Sequence, residues 1–405
     1  MKVLQICNKM PNPPIDGGAQ VMHFTTKGLL ANGVNVKTLA INPIRNFINT
    51  DLLPNDYIAN TRFESVIVDT AIKPLNIFTN IFKKESYFVE RFISTEFDEK
   101  IKSILQSEHF DIIQLEHLYI CKYINTIRKY SKAKIILRPQ NVEYVIWERY
   151  TKNVKNLFKK YFLKLATIRL KKFEQNVIAY LDGIIALTKE DADLFLTFSN
   201  PPPTIIVPMG YDYEKIRNYD FNKQFNYDPI IYHLGSMDWM PNIEAINWFI
   251  RDVMPFLVKY NFSGKIIVAG RRMPLWVFKY KSKILEVIDE VKNPIEFQED
   301  KQIMIVPLWS GSGIRAKIIE GLALGKIIIS TSIGAQGIDY VKGENLLIAD
   351  TPEEFAKQII NCVNSKGLCI NISKNARALS LNSYHFKNTA NKMILFYEKL
   401  LESNE

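Results

Sequence analysis

The chemically richest stretch of the sequence runs from Val306 to Lys326 and combines a short apolar strand, a glycine turn and a helical pattern. The strand is predicted to end at Pro307 and the helix to occupy residues 314–324. A helix that starts directly after a turn directs unpaired backbone N–H groups and the positive end of its dipole at the loop, which favours anion binding. The residues predicted to line this loop are Gly311, Ser312, Gly313, Ile314, Arg315 and Lys317.

Arg315 and Lys317 fall in the first turn of this predicted helix, where positive charge is normally unfavourable. A diphosphate in the loop would neutralise both, because Arg holds phosphate oxygens in a bidentate manner and Lys acts as a point charge. Glu320 follows on the same helix, and its carboxylate could accept from the two hydroxyls of a ribose. The competing interpretation is a strand, turn and helix with exposed basic residues and no ligand.

Other loops that follow predicted strands carry glycine or arginine. Gly235 would let a ligand approach the backbone closely, and Gly17 and Gly18 permit positive φ ahead of the first helix. Arg271 is a candidate for a pyrophosphate, although a surface arginine explains it too. Trp239 could stack on a base or a sugar, or pack in the core.

Two further strand ends carry groups suited to acid–base chemistry. Glu116 and His117 end the strand at residues 112–115, and either one could be the residue that faces a ligand. Asn141 and Glu143 follow the strand at residues 134–137; they could bind hydroxyls, or simply cap and start a helix.

The elements that must position these loops are strands alternating with helices, a pattern that indicates parallel sheets. The alternation restarts after Tyr211, which predicts two α/β domains at residues 1–208 and 209–381. The last helix, within residues 382–405, is a candidate to complete the first domain. Open α/β sheets bind ligands at the carboxyl ends of their strands, so two facing sheets would share a cleft.

Composition limits the surroundings in which the chain works. The 405 residues carry a net charge of +10, which attracts anions. The four cysteines show no zinc-site spacing and suit a reducing compartment. No apolar run approaches the ~20 residues of a membrane span, and we expect a cytoplasmic protein. We expect no bound cofactor.

Residues 152–172 contain eight basic and no acidic side chains, with Leu and Phe between them at helical spacing. They predict one basic amphipathic helix. It could be an ordinary solvated surface helix, or it could lie on an anionic membrane leaflet, with the cations at the headgroups and the apolar residues in the boundary.

The stretch 306–326 resembles the donor-binding motif of family 4 glycosyltransferases, which have the GT-B fold of two Rossmann-like domains. Glu320 matches the second of two glutamates in that motif, while Ser312 stands at the first. The glycine pair at residues 17–18 and a histidine near residue 117 also resemble the family, and the loop 235–242 resembles its capsule and exopolysaccharide members.

The resemblance implies a metal-independent enzyme that retains anomeric configuration. It would use a nucleotide-diphosphate sugar as donor and a glycan or lipid-linked acceptor, in bacterial-type surface polysaccharide synthesis at the inner face of the membrane. Arg315, Lys317 and His117 or Glu116 would be catalytic. The alternatives are a nucleotide-sugar 2-epimerase of the same fold and a non-catalytic nucleotide-sugar-binding subunit. Nucleic-acid binding ranks last, because no aromatic and basic strand pattern is present.

Overall fold

A computed structural model describes residues 1–73, 79–80, 82–83, 85–226, 228–311 and 313–402. The chain divides into two compact units, one formed by Met1–Gly210 together with Phe386–Glu405 and the other by Tyr211–His385. Each unit is a parallel sheet with helices, as the alternating pattern predicts.

The first unit contains a seven-stranded sheet in the order β3-β2-β1-β4-β5-β6-β7. Its strands are rich in Ile, Val and Leu because a parallel sheet is covered on both faces. The strands are β1 (Lys2–Cys7), β2 (Asn35–Pro43), β3 (Glu64–Val68), β4 (Ile112–Leu115), β5 (Lys134–Leu137), β6 (Gly183–Ala186) and β7 (Thr204–Ile206).

In the described part of the first unit, helices link these strands, and short polar side chains begin several of them. Asp16 accepts from the Ala19 N–H at 2.9 Å and so caps the first helix. The helices are α1 (Gly17–Ala31), α2 (Asn55–Thr61), α3 (Tyr87–Glu90), α4 (Thr95–Ser107), α5 (Ile124–Tyr130), α6 (Glu143–Asn153), α7 (Leu157–Ile178) and α8 (Lys189–Leu196).

The single basic helix expected at residues 152–172 is in fact two helices. α6 ends at Asn153 and α7 begins at Leu157. Asn156 breaks the helix, because its side chain accepts from the Lys159 N–H at 2.9 Å and caps α7. Lys152 therefore belongs to the preceding helix, and the other basic residues of this segment lie on α7 or in the linker before it.

The second unit contains a six-stranded sheet in the order β10-β9-β8-β11-β12-β13. Its strands are β8 (Ile230–Leu234), β9 (Lys265–Ala269), β10 (Leu285–Ile288), β11 (Ile303–Val306), β12 (Ile327–Ser330) and β13 (Leu347–Ile348). β10 does not stand out in the sequence, because it is an edge strand in which only two of the four residues are buried.

The helices of the second unit are α9 (Met240–Trp248), α10 (Met254–Lys259), α11 (Leu275–Phe278), α12 (Pro294–Gln298), α13 (Ala316–Ala323), α14 (Pro352–Asn364) and α15 (Lys366–Tyr384). A π-helical turn at Phe249–Val253 separates α9 from α10 just before Pro255, which has no N–H to continue the ladder. The helix expected from Ile314 begins only at Ala316, so Arg315 occupies the N-cap position instead of the first turn.

The last helix, α16 (Phe386–Glu402), returns to the first unit. Ala390, Met393 and Phe396 join Leu29 of α1 and strand residues in one buried cluster. The hydroxyl of Tyr397 also donates to the side chain of Gln114 on β4. Among the residues described, no helix is long and apolar enough to cross a bilayer.

Candidate functional site

In the second unit, the loops after β8 and β9 pack backbone against backbone. The Gly235 N–H donates to the Ala269 carbonyl at 3.0 Å, and the Met237 N–H donates to the Arg271 carbonyl at 3.0 Å. A Cβ on Gly270 would lie 1.8 Å from the Gly235 carbonyl oxygen. Glycine is therefore required at 270 to keep both loops at the end of the sheet.

The loop between β11 and α13 turns sharply on glycine. Gly311 has φ +102° and Gly313 has φ +75°, a region that side chains rarely adopt. Ser312 lies outside the described residues, and Ile314 is half-buried. Arg315 is 5% exposed. Its Nη1 donates to the Gly313 carbonyl at 2.9 Å, and this hydrogen bond holds the guanidinium group against the turn.

Lys317 is the second cation of this loop and is half-buried. Its Nζ donates to Oδ1 of Asn242 on α9 at 3.0 Å. Burial and the neighbouring Arg315 lower the pKa of Lys317 to about 7. The two positive charges repel each other, and a bound anion would reduce this repulsion.

Trp239 lies beside the same cations. The Arg315 guanidinium carbon is 5.5 Å from the centre of the Trp239 ring, within cation–π distance. A Cβ placed on Gly311 would meet the Trp239 ring at 3.2 Å. The side chain is 39% exposed, so Trp239 is an open aromatic surface over the loop rather than part of the core.

Glu320 lies one turn beyond Lys317 on α13, where its carboxylate accepts from Nε2 of Gln298 at 2.8 Å. Burial raises the pKa of Glu320, opposed by Gln298 and Lys215. Sequence reasoning missed Gln298, because a glutamine at the end of a short helix carries no distinguishing pattern.

Arg271 is occupied by neighbouring polar groups. Its Nε donates to the Ser236 hydroxyl at 3.0 Å and lies 3.5 Å from the Asp238 carboxylate, which also pairs with Arg272 at 2.7 Å. An anion that uses Arg271 would have to compete with Asp238. Contacts through Trp239 and Asn242 bring most of the predicted donor-site residues together: Gly235, Gly311, Gly313, Arg315 and Lys317. Backbone contacts link Arg271 to the loop after β8.

In the first unit, neither Gly17 nor Gly18 has the positive φ that the sequence analysis allowed for them. They begin α1, and Gly18 lies close to the side chain of Gln140. A Cβ at Gly18 would lie 2.3 Å from Oε1 of Gln140, whose Nε2 donates to the Gly18 carbonyl at 3.3 Å. The pair thus brings the end of β5 against the start of α1.

Glu116 and His117 have different surroundings. Glu116 is completely buried; its carboxylate accepts from Gln5 at 2.6 Å and from Gln114. Burial raises the pKa of Glu116, although Arg138 opposes the shift. This carboxyl group belongs to the interior of the first unit. His117 is 8% exposed, at the end of the same strand.

His117 is held by a carboxylate that the sequence suggested for ligand binding. Nε2 of His117 lies 3.3 Å from Glu143, which also accepts from the Tyr119 hydroxyl at 2.7 Å. Burial disfavours ionisation of Glu143, but His117 and these hydrogen bonds outweigh it and lower its pKa. The backbone N–H of Glu143 in turn donates to Glu174 at 3.0 Å. Glu143 therefore orients His117.

Comparison with known proteins finds a family match within the second unit. Residues 228–365 match the family model described as "Glycosyl transferases group 1". An uncharacterized 44.6 kDa protein in the cps region of Klebsiella pneumoniae is 23% identical over 272 residues, covering 65% of this chain and 68% of that protein.

Solved structures resemble the whole chain. Sucrose-phosphate synthase from Thermosynechococcus elongatus has a TM-score of 0.71 at 13% identity, with 100% of both chains covered. Anabaena Alr3699/HepE in complex with UDP-glucose has a TM-score of 0.64 at 10% identity, with 98% of this chain and 100% of that chain covered.

The two parallel-sheet units and these structural neighbours establish the GT-B fold that the sequence predicted. With the domain match across most of the second unit, the chain is a glycosyltransferase of GT-B type.

Proposed function

We propose that the chain transfers a sugar from a nucleotide-diphosphate donor bound at the loop before α13. The observation that carries this is the pair Arg315 and Lys317: Arg315 is buried directly after the glycine turn, and Lys317 is half-buried in the first turn of α13. Burying like charges side by side is costly unless an anion compensates them. A diphosphate supplies two negative groups within the reach of both side chains.

The chemistry follows from where charge develops. As the bond between the anomeric carbon and the diphosphate breaks, negative charge grows on the leaving phosphate. Preorganised cations and backbone N–H groups stabilise that charge, which is commonly the largest contribution to rate. Arg315 and Lys317 meet it directly, so we propose that transfer needs no bound metal. Retention of configuration follows if the acceptor attacks on the face that the phosphate leaves, with the phosphate as base.

Glu320 is the proposed contact for the nucleoside. It lies on the same helix as Lys317, and Gln298 fixes its carboxylate. A carboxylate there can accept from two ribose hydroxyls. HepE, which has a similar fold, was solved with UDP-glucose, so UDP-sugars are the first donors to test.

The acceptor side is proposed for the first unit. His117 is partly accessible and oriented by Glu143, so it is the better candidate than the buried Glu116 to contact an acceptor hydroxyl. The relative encoded in a cps region supports a glycan or lipid-linked acceptor in surface polysaccharide synthesis.

The start of α7 is proposed to touch an anionic membrane surface. Leu157, Phe158 and Tyr161 are 78%, 90% and 69% exposed on its first turns, and Lys159 and Lys164 lie among them. Exposed aromatic and aliphatic side chains are costly in water but favourable at a lipid boundary, where lysines meet anionic headgroups.

The experiment that tests the donor site measures binding of UDP, GDP and ADP by calorimetry and sugar release from the matching nucleotide sugars. The Arg315→Ala variant is expected to lose about 10²–10³ in transfer rate and most of its nucleotide affinity. The matched control is Arg251→Ala, since Arg251 is an exposed arginine of the same unit. Wild-type binding and turnover in Arg315→Ala would refute the assignment. Product analysis without acceptor separates transfer from epimerisation.

A further inference from the structure

His233, near the end of β8, is completely buried. Its Nδ1 lies 3.1 Å from the Ile305 carbonyl. A carbonyl can only accept, so Nδ1 carries the proton. Burial, together with Lys317, lowers the pKa of His233 well below its usual value, so the ring is neutral. Nε2 is therefore an acceptor, and it is buried with no hydrogen-bond partner in the described structure.

The lone pair on Nε2 of His233 is close to the head group of Lys317. A Cβ built on Gly235 would lie 2.5 Å from Nζ of Lys317, 2.9 Å from Nδ2 of Asn242 and 3.1 Å from Nε2 of His233. The three nitrogen atoms thus surround one point, which is open because residue 235 is glycine. A buried acceptor without a partner costs about 1–3 kcal/mol and calls for an explanation.

The number of hydrogen-bond donors on the Lys317 head group supplies an explanation. An ammonium has three N–H donors. One goes to Oδ1 of Asn242 at 3.0 Å. Nε2 of His233 lies near the same point beside Gly235 and accepts no hydrogen bond in the described structure, so it is available to a second N–H, and a third remains for a ligand oxygen. A neutral amine would lose one of these donors.

The charged groups around Lys317 determine how it titrates. Arg315, from the loop before α13, opposes its protonation. His233 on β8 is neutral, and Asn242 on α9 cannot titrate. Without a ligand, burial and Arg315 therefore favour the neutral amine near and above neutral pH.

We propose that His233 is a positioning residue of the donor site: as the donor diphosphate binds, Lys317 takes up a proton from solvent, and Nε2 of His233 accepts a hydrogen bond from the resulting ammonium. The proposal rests on the proposed function, because it assumes that the diphosphate lies at Arg315 and Lys317. It adds that donor affinity depends on pH through Lys317, and that a histidine which touches no substrate sets this dependence.

The test uses UDP with the full-length protein, in buffers of different ionisation enthalpy, at pH 6 and pH 8. At pH 8 wild-type protein is expected to take up a large fraction of a proton on binding, and Lys317→Met none. His233→Phe keeps the ring volume but removes the acceptor. It should weaken UDP binding about three- to tenfold at pH 8 and much less at pH 6, where the lysine is protonated already. His233→Gln, which restores an acceptor, should recover most of the loss.

The outcomes separate the two proposals. If UDP, GDP and ADP all fail to bind wild-type protein, the proposed function falls and this inference with it. If a nucleotide binds but the proton uptake is unchanged in Lys317→Met, or His233→Phe loses the same affinity at both pH values, His233 has only a packing role and the inference is overturned. Should His233→Phe fail to fold, the comparison of wild type with Lys317→Met still decides the proton uptake.

Discussion

Nε2 of Gln298, at the end of α12, donates to the Glu320 carboxylate on α13 at 2.8 Å. The other side-chain atom, Oε1, accepts from the Tyr232 hydroxyl on β8 at 2.7 Å. One amide thus ties a strand of the central sheet to the carboxylate proposed for the ribose. All three side chains are largely buried, so water cannot take the place of a hydrogen bond that is lost here.

Replacing Gln298 should therefore weaken nucleotide binding indirectly, through the position of the Glu320 carboxylate. In Gln298→Leu the Glu320 carboxylate loses its donor, and we expect roughly a tenfold loss of nucleotide affinity together with ~1–3 kcal/mol of stability. Calorimetry and chemical denaturation measure the two effects. Tyr232→Phe is the control, since it lowers stability but leaves the bond to Glu320. Equal affinity loss in both variants would show that Gln298 acts only through stability.

Gly270 should be intolerant of any side chain. A Cβ there would overlap the Gly235 carbonyl at 1.8 Å, so Gly270→Ala must separate the β8 and β9 loops, at a cost of about 2–4 kcal/mol. Thermal unfolding measures this. At Gly367 on α15 nothing lies within 4 Å of the added Cβ, and Gly367→Ala should stabilise the helix by ~0.5–1 kcal/mol. Equal melting temperatures in the two variants would contradict the close approach at 270.

His117 should affect turnover and not nucleotide affinity, because its contacts lie in the first unit. We expect His117→Ala to lower the transfer rate roughly 10²-fold. Nucleotide affinity should stay close to that of wild type. His109→Ala, at an exposed histidine of the same unit, should change neither quantity. The assignment is wrong if His117→Ala reduces nucleotide affinity and leaves the rate of the saturated enzyme intact.

Lys326 should make stability depend on pH. Its buried Nζ donates to carbonyls of Gln298 at 2.5 Å and Lys301 at 2.7 Å and to Gln224 at 3.0 Å, while burial lowers its pKa to about 7. Between this value and the unfolded pKa, the unfolded chain binds more protons, so stability rises with pH in that window. Lys326→Met should cost ~2–4 kcal/mol near pH 7, because three acceptors lose their donor.

Denaturation of wild type and Lys326→Met at pH 7 and pH 9 checks this sign. The difference in unfolding free energy between the two proteins should widen as the pH rises. A difference that does not change would mean that the folded protein keeps Lys326 charged between these pH values.

The start of α7 should bind anionic vesicles. Co-sedimentation with phosphatidylglycerol-containing vesicles is expected to fall several-fold in Lys159→Glu/Lys164→Glu and in Phe158→Ser. High salt should remove the part of vesicle binding that is due to charge. Lys279→Glu/Lys283→Glu, with the same charge change on exposed lysines of the second unit, is the matched control. Equal binding by both double variants would leave only a general effect of the positive net charge.

Much of the fold could be predicted from sequence, because strands of a parallel sheet are continuous apolar runs. β4 and β5 have the predicted bounds. β10 was missed because half of its short run faces outward. The glycine turn at 311–313 was visible for the same local reason, since only glycine adopts its φ values readily.

Local pattern failed where a side chain competed with the backbone or a distant group intervened. Asn156 divides a basic segment that periodicity alone makes one helix. The pairings of Gln298 with Glu320 and of Glu143 with His117 join residues far apart in sequence. No spacing rule could find them.

The sequence by itself determined two α/β units and the loop at which an anion is expected, because burial patterns and glycine geometry are local properties. Only the tertiary structure decided that Glu116 is interior, that Glu143 holds His117, and that His233 faces Lys317. Those facts depend on which strand ends lie side by side, and the charge state of a buried group depends on the neighbours that folding gives it.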